Sequence, residues 1–234
     1  MTMRSILIFS ATRRALEEAL ASEADALAVD LLRAGEVGVA AAIGEAHARG
    51  KKCLAQIHAL ESGLADADLD VVMPGRPDGI ILPEACGGRD IQHLGAKLAV
   101  REAENELPEG ALKILALAAD SPAALFELGS VARASRRLIG LGRDEGLLAQ
   151  RLGISARTNN EQPEPLRVAR SLCLFAAAAA GTKAYDCAEP GEGEDFARIC
   201  AQAAHDGFTG KIVESAAQAR IVNAAFAAKL KNPG

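Results

Sequence analysis

The chain has 234 residues, half of them hydrophobic and 24% charged, enough for one soluble globular domain (1–234) with a sizeable core. Lys and Arg number 26 against 31 Asp and Glu, a formal charge of −5, so no basic surplus marks a nucleic-acid footprint, and 3% aromatics offer no stacking platform for bases. No apolar run approaches the roughly 20 residues of a membrane span, and the short apolar stretch Ile6–Phe9 after Met1-Thr2-Met3-Arg4-Ser5 is too brief for a signal-peptide core.

In chain order, short β-branched runs alternate with longer Ala/Leu-rich stretches of helical period. The predicted strands are Ser5–Phe9, Ala26–Leu31, Lys52–His58, Gly79–Ala85, Lys113–Ala119, Arg137–Arg143, Lys183–Glu189 and Thr209–Ser215. Runs such as Ile6-Leu7-Ile8-Phe9 and Ile80-Ile81-Leu82 are apolar on both faces, as strands of a helix-covered parallel sheet are. Helix punctuation agrees. Thr12 is a predicted N-cap for a helix through Leu20, and Ser121-Pro122 an N-cap with proline at the first helical position. Gly50 closes a helix begun near Glu36, and Ser215-Ala216-Ala217-Gln218 reads as a capping box. Ser155–Pro165, rich in Asn, Glu and Pro, is expected to be a surface excursion inside the one domain.

Eight strand–helix pairs in a chain of this length predict an α/β fold of the (β/α)8 TIM-barrel type. A doubly wound open sheet is the competing architecture, because periodicity does not show whether the sheet closes.

In a parallel barrel the site lies at the C-terminal ends of the strands. The polar residues expected there are Asp30, Gln56 and His58 (the last two placed within the third strand), Glu84, Asp120, Arg143-Asp144-Glu145, Asp186 to Glu189, and Glu214-Ser215. Carboxylates gathered on one rim repel unless they share a cation or a proton, and a hard divalent ion with oxygen ligands answers that need. Each residue also has a plainer role. Asp120, Asp144 and Glu145 stand at helix starts, where the dipole favours a carboxylate; Ser215 is a cap before it is a nucleophile; His58 has no second His or Cys nearby in sequence. Gly140-Leu141-Gly142-Arg143-Asp144-Glu145-Gly146 looks like a dinucleotide fingerprint, but its last glycine is one residue late, so it reads as a strand–helix turn. Five cysteines without C-x-x-C spacing suit reduced thiols in a cytoplasmic protein, with Cys187 a packed thiol.

Several segments resemble the citrate lyase β-subunit-like family of the HpcH/HpaI aldolase superfamily. Arg4-Ser5-Ile6-Leu7 is similar to the family's opening Arg-Ser-x-Leu, and Asp25 to Leu31 to its second strand. Asp78-Gly79-Ile80-Ile81-Leu82-Pro83 is similar to Asp-Gly-Ile-x-Leu-Pro-Lys. Ala169-Arg170-Ser171 with Ala180-Gly181, and Ala184-Tyr185-Asp186, resemble a helix and the strand after it. Gly207-Phe208-Thr209-Gly210-Lys211, with Gln218, Asn223 and Phe226 behind it, resembles the closing signature.

The resemblance implies a barrel in homo-oligomers (a trimer or a multiple of one) with Mg²⁺, or Mn²⁺, at its mouth. It also implies cleavage or condensation of carbon–carbon bonds in a small carboxylate or its CoA thioester. Residue by residue, Gln56 and His58 take the places of the family's substrate-binding Arg and Asn, Leu32-Arg33 of a Glu-Asp pair, and Glu84 of a Lys. Ala119 takes that of a metal-binding Glu, with Asp120 beside it, while Glu145, or Asp144, takes that of a metal-binding Asp. Glu214-Ser215-Ala216 stands for Ile-His-Pro. Two readings follow. In one, a divergent lyase binds metal at Asp120 with Asp144 or Glu145, orients substrate through Gln56 and His58, and uses Asp30 or Glu84 as base. In the other, a non-catalytic barrel serves as a binding or assembly partner.

Overall fold

The computed structural model describes residues 3–33, 35, 37–156, 162–187 and 190–231, with side chains to 227. Eight parallel strands close into a barrel in chain order: β1 (Ser5–Ser10), β2 (Ala26–Asp30), β3 (Lys52–Gln56), β4 (Gly79–Leu82), β5 (Lys113–Leu117), β6 (Leu138–Gly142), β7 (Lys183–Asp186) and β8 (Gly210–Val213). The pairing of β1 with β8, Ser5 opposite Lys211 through Leu7 opposite Val213, joins first strand to last and rules out the open doubly wound sheet.

The helices are α1 (Arg13–Ala21), α2 (Val39–Ala48), α3 (Ala65–Val72), α4 (Gly88–Glu104), α5 (Pro122–Glu127), α6 (Glu145–Leu152), α7 (Glu164–Ala179), α8 (Glu194–Asp206) and α9 (Ala216–Lys231). The caps formed as expected at two sites: Thr12 Oγ1 accepts from the Ala15 N–H at 3.3 Å and Ser121 Oγ from the Ala124 N–H at 3.1 Å. At the third, Ser215 Oγ accepts from the Gln218 N–H at 3.1 Å, but the returning Gln218 Oε1 accepts from the N–H of Glu214 at 2.9 Å. The capping box is thus offset by one residue, because Glu214 lies just beyond β8 with its N–H released from the ladder. Gly50, at φ +70°, follows the end of α2 as foreseen. Glu36, Ala188, Glu189 and residues 157–161 of the expected surface excursion lie outside the described residues.

Several strands stop earlier than their apolar pattern. β3 ends at Gln56, so His58 lies two residues beyond it and not within it; β4 ends at Leu82, β5 at Leu117, β7 at Asp186 and β8 at Val213. Ala118 and Ala119 remain buried after β5 has ended. Apolar character therefore reports burial, while the strand ends where ladder pairing ends.

By internal packing the chain divides into two compact units. One comprises Met1–Ile57, Ala67–Ile80 and Tyr185–Gly234, with β1, β2, β3 and β8; the other comprises His58–Asp66 and Ile81–Ala184, with β5 and β6; β4 and β7 are shared. In the first, Ala26 to Val29 of β2 are buried, with α2 packed on the strand and β1 and β3 paired on either side of it. Gly210 starts β8 so close to the chain that a Cβ there would lie 2.2 Å from the Arg4 carbonyl oxygen, the same oxygen that accepts from the Lys211 N–H at 2.8 Å. Only glycine permits that closing seam.

The second unit has a buried charged clasp. Glu102 of α4 accepts from Arg137 Nη2 at 2.7 Å and from the N–H groups of Leu112 and Gly110 at 2.8 and 2.9 Å, tying the approaches to β5 and β6 together. Burial pushes the Glu102 carboxyl up, but Arg137 and the two N–H donors outweigh it and hold it below the usual range. Arg137→Met is expected to strand that carboxylate and cost about 3–5 kcal/mol in urea unfolding; a loss under about 1 kcal/mol would mean that the pair acts as a solvated surface bridge.

Candidate functional site

Several of the candidate residues fall within three positions of a strand's C-terminal end, and each unit gathers its own group. In the first unit Asp30 is the last residue of β2 and is buried. Its Oδ1 accepts from the Leu32 N–H at 2.9 Å and lies 3.5 Å from Gln56 Nε2, at the end of β3. Its Oδ2 pairs with Arg33 Nε at 3.1 Å, and the same guanidinium reaches Glu214, just past β8, at 2.9 Å. Asp186, the last residue of β7, forms a sealed ion pair with Lys211 of β8 at 3.2 Å. His58, assigned to the second unit, is half-buried. Ser215 caps α9 and also donates its hydroxyl to Glu192, a role in packing and capping.

The second unit brings together Glu84, Asp120, Asp144, Glu145, Arg143 and Arg151. Asp120 stands three residues past β5, where strand alternation no longer dictates its side, and it is fully buried. Its Oδ2 accepts from the Glu84 N–H at 2.8 Å, while Oδ1 has no hydrogen-bond partner. Burial pushes the Asp120 carboxyl up from 3.8 to about 7; hydrogen bonds, the one from Glu84 foremost, oppose this, and the charges of Glu84 and Asp144 add to the rise. Glu84 holds a left-handed backbone, φ +53°, uncommon for a residue with a side chain, and so presents its N–H to Asp120 while its carboxylate pairs with Arg151 of α6.

The two candidate partners of Asp120 differ. Asp144 is the exposed N-cap of α6, its Oδ1 accepting from the Leu147 N–H at 2.9 Å. Glu145 is buried, its Oε2 accepting from Arg143 Nη1 at 2.7 Å and from the Gln162 amide. Among the described residues no group of three or more His, Cys, Asp or Glu is disposed to hold a metal ion. The donor set instead fits a cation of the Mg²⁺ kind, which keeps several waters and takes one or two carboxylates: the bare, buried Oδ1 of Asp120, with Asp144 near enough for its charge to act on it.

Beside Asp120 lies a cavity of about 400 Å³, lined by residues that include Glu61, Glu84, Cys86, Asp90, Ser121 and Arg151. Of that wall, Glu84 is the candidate legible in the sequence, while Arg151, Glu61, Asp90 and Cys86 join it only in the folded chain. Arg151 sits in the last turn of a helix and Glu61 in a short 3-10 turn after β3, positions with no motif attached.

No family model and no curated protein matches the sequence. Solved structures match its fold. RipC from Yersinia pestis is 22% identical, with 97% of this chain and 98% of that one covered at a TM-score of 0.74. Malate synthase from Haloferax volcanii is 18% identical, with 96% and 73% covered at 0.79. The citrate lyase β subunit of M. tuberculosis, complexed with oxaloacetate and magnesium, is 21% identical, with 96% and 97% covered at 0.72. At these identities the likeness is one of fold.

The raised Asp120 carboxyl has a signed consequence. Folded protein holds a proton there, between its ordinary value of 3.8 and about 7, that the unfolded chain has released, so stability falls as pH rises through that window. With a chelator present, wild type is expected to lose on the order of 4 kcal/mol at most, relative to Asp120→Asn, between about pH 4 and pH 8 in denaturant titrations. A difference that stays flat with pH would show that the carboxyl titrates normally.

Proposed function

We propose that this protein is a divergent carbon–carbon lyase of the aldolase type, acting on a small hydroxy or oxo acid or its CoA thioester with Mg²⁺ or Mn²⁺. The observation that carries the reading is Asp120: a buried carboxylate with an unpartnered oxygen and a carboxyl raised to about 7, beside a cavity at the C-terminal end of a barrel strand. A neighbour of the same fold is complexed with magnesium and oxaloacetate, which supports a small carboxylate as the ligand class.

In this reading Asp120 and Asp144 hold the ion. When bound, such an ion polarises a carboxylate or ketone oxygen so that enolate-like charge can develop. The rest falls to the chain. The Glu84 N–H fixes Asp120, and Arg151 pairs with the Glu84 carboxylate, which is proposed as the proton-moving group. Asp30, the other candidate base, has both oxygens engaged by Leu32, Gln56 and Arg33, so its proposed part is to orient Gln56. Gln56 and His58 remain proposed substrate contacts, Gln56 supplying a neutral donor in place of a guanidinium. Glu145 pairs with Arg143, the residue just past β6.

A second reading, a non-catalytic barrel acting as a binding or assembly partner, draws on a different observation. Asp30, Glu84 and Glu145 each pair with an arginine of their own unit (Arg33, Arg151 and Arg143), so most of the strand-end negative charge is compensated without a metal. Exposed Val168, Leu172 and Phe175 on one stripe of α7, and Phe126 of α5 at 91% exposure, also support association, including the proposed homo-oligomer.

Calorimetric titration with MgCl2 and MnCl2 separates the two: wild type is expected to bind at millimolar concentration and Asp120→Asn to lose the signal, whereas an unresponsive wild type would favour the non-catalytic barrel. Sedimentation is expected to give a trimer or a multiple of it, and Phe175→Glu to shift it towards smaller species; a wild-type monomer would end the assembly proposal.

A further inference from the structure

We infer that the cavity of the second unit takes a small acid that also carries an ammonium group, because its wall sets the three carboxylates of Glu61, Glu84 and Asp90, with Asp120 joined to Glu84 behind them, against the one guanidinium of Arg151. The inference rests on the lyase reading for the position of the site and for the acid group of the ligand. It adds the charge at the ligand's other end.

The carboxylates are Glu61, Glu84 and Asp90 in the wall, and Asp120 immediately behind it, joined to the Glu84 N–H and followed in the chain by the wall residue Ser121. The guanidinium is Arg151, which already pairs with Glu84. A divalent ion at Asp120 would leave the group as a whole still negative. A dianion entering this cavity meets like charge, whereas an ammonium gains from Glu61 and Asp90. Asp90 accepts from the Cys86 N–H at 2.8 Å through one oxygen, which fixes its carboxylate in the first turn of α4.

Two further observations agree. Fully buried Asp120, joined to the wall through the Glu84 N–H, keeps its Oδ1 without a hydrogen-bond partner. The Cys86 thiol, in the same wall, is pushed up by burial and then by the charges of Asp90, Glu127, Glu61 and Asp120, so a second group senses the same negative field. The cavity's 400 Å³ lies in the range of small-molecule sites and admits a ligand of a few carbons with a charge at each end.

The test uses three probes of similar length on the full chain: 4-aminobutyrate, glutarate and butyrate, titrated calorimetrically with and without MgCl2. Wild type is expected to bind 4-aminobutyrate at least about tenfold more tightly than glutarate, with butyrate between them. Glu61→Lys, at an exposed position, is expected to reverse the order, and Asp90→Asn, which can still accept from the Cys86 N–H, to weaken 4-aminobutyrate selectively. Glutarate binding as well as 4-aminobutyrate, an order unmoved by both variants, or no binding by any probe would overturn the inference. Binding of Mg²⁺ alone, and its loss in Asp120→Asn, reports separately on the lyase reading. A protein that binds Mg²⁺ but prefers glutarate keeps that reading and loses this one; a protein that takes 4-aminobutyrate but no Mg²⁺ does the reverse.

Discussion

A carboxylate buried at the end of a barrel strand needs a counter-charge, hydrogen-bond donors, a proton or a cation, since a bare charge in a low-dielectric setting is costly. That requirement organises both units. Asp30 is satisfied by Arg33 and by N–H groups of the chain and of Gln56; Asp186 by Lys211; Glu145 by Arg143 and Gln162. Glu84, half-buried, leans on Arg151. Asp120 is where the pattern stops: one oxygen receives the Glu84 N–H and the other receives nothing. The chemistry proposed here sits at that point because it is where the fold leaves electrostatic demand unmet.

The same constraint separates structural from functional charge. The Glu102–Arg137 clasp has both carboxylate oxygens engaged, and its role is to hold α4 against the approaches to β5 and β6. Asp120 has the opposite character: half-satisfied, raised towards neutrality, and backed onto a cavity whose wall includes a residue in a left-handed conformation. Strain of order 1–3 kcal/mol at such a residue persists only where its surroundings impose it; here Glu84 is held at its N–H by Asp120 and at its side chain by Arg151.

Sharing a fold with RipC, malate synthase and a citrate lyase β subunit fixes where a site belongs in this architecture, at the strands' C-terminal ends. It does not fix what the site binds. The side chains do that. A glutamate stands at position 84 where the resembled motif has a lysine, and Glu61 and Asp90 join it in the wall.

The barrel class, the alternation of strands with helices, the Thr12 and Ser121 caps and the positions of Asp30, Glu84, Asp120, Asp144 and Glu145 near strand ends were legible in the sequence, because each depends on local pattern: apolar period, a capping oxygen, a proline at the first turn. Closure of the sheet was not, since it depends on β1 meeting β8 some 200 residues away and on a glycine that lets Arg4 approach. Nor were the strand ends, because Ala118 and Ala119 are buried whether or not they pair, and His58 follows an apolar residue that has left the ladder. The largest gap concerned charge. From the sequence alone the acidic residues implied a shared cation, but Arg33, Arg143 and Arg151 neutralise three of them, and Arg151 reaches Glu84 from 67 residues away in the chain. Which carboxylate keeps an arginine and which is left bare is settled by through-space distance, a quantity that only the folded chain defines.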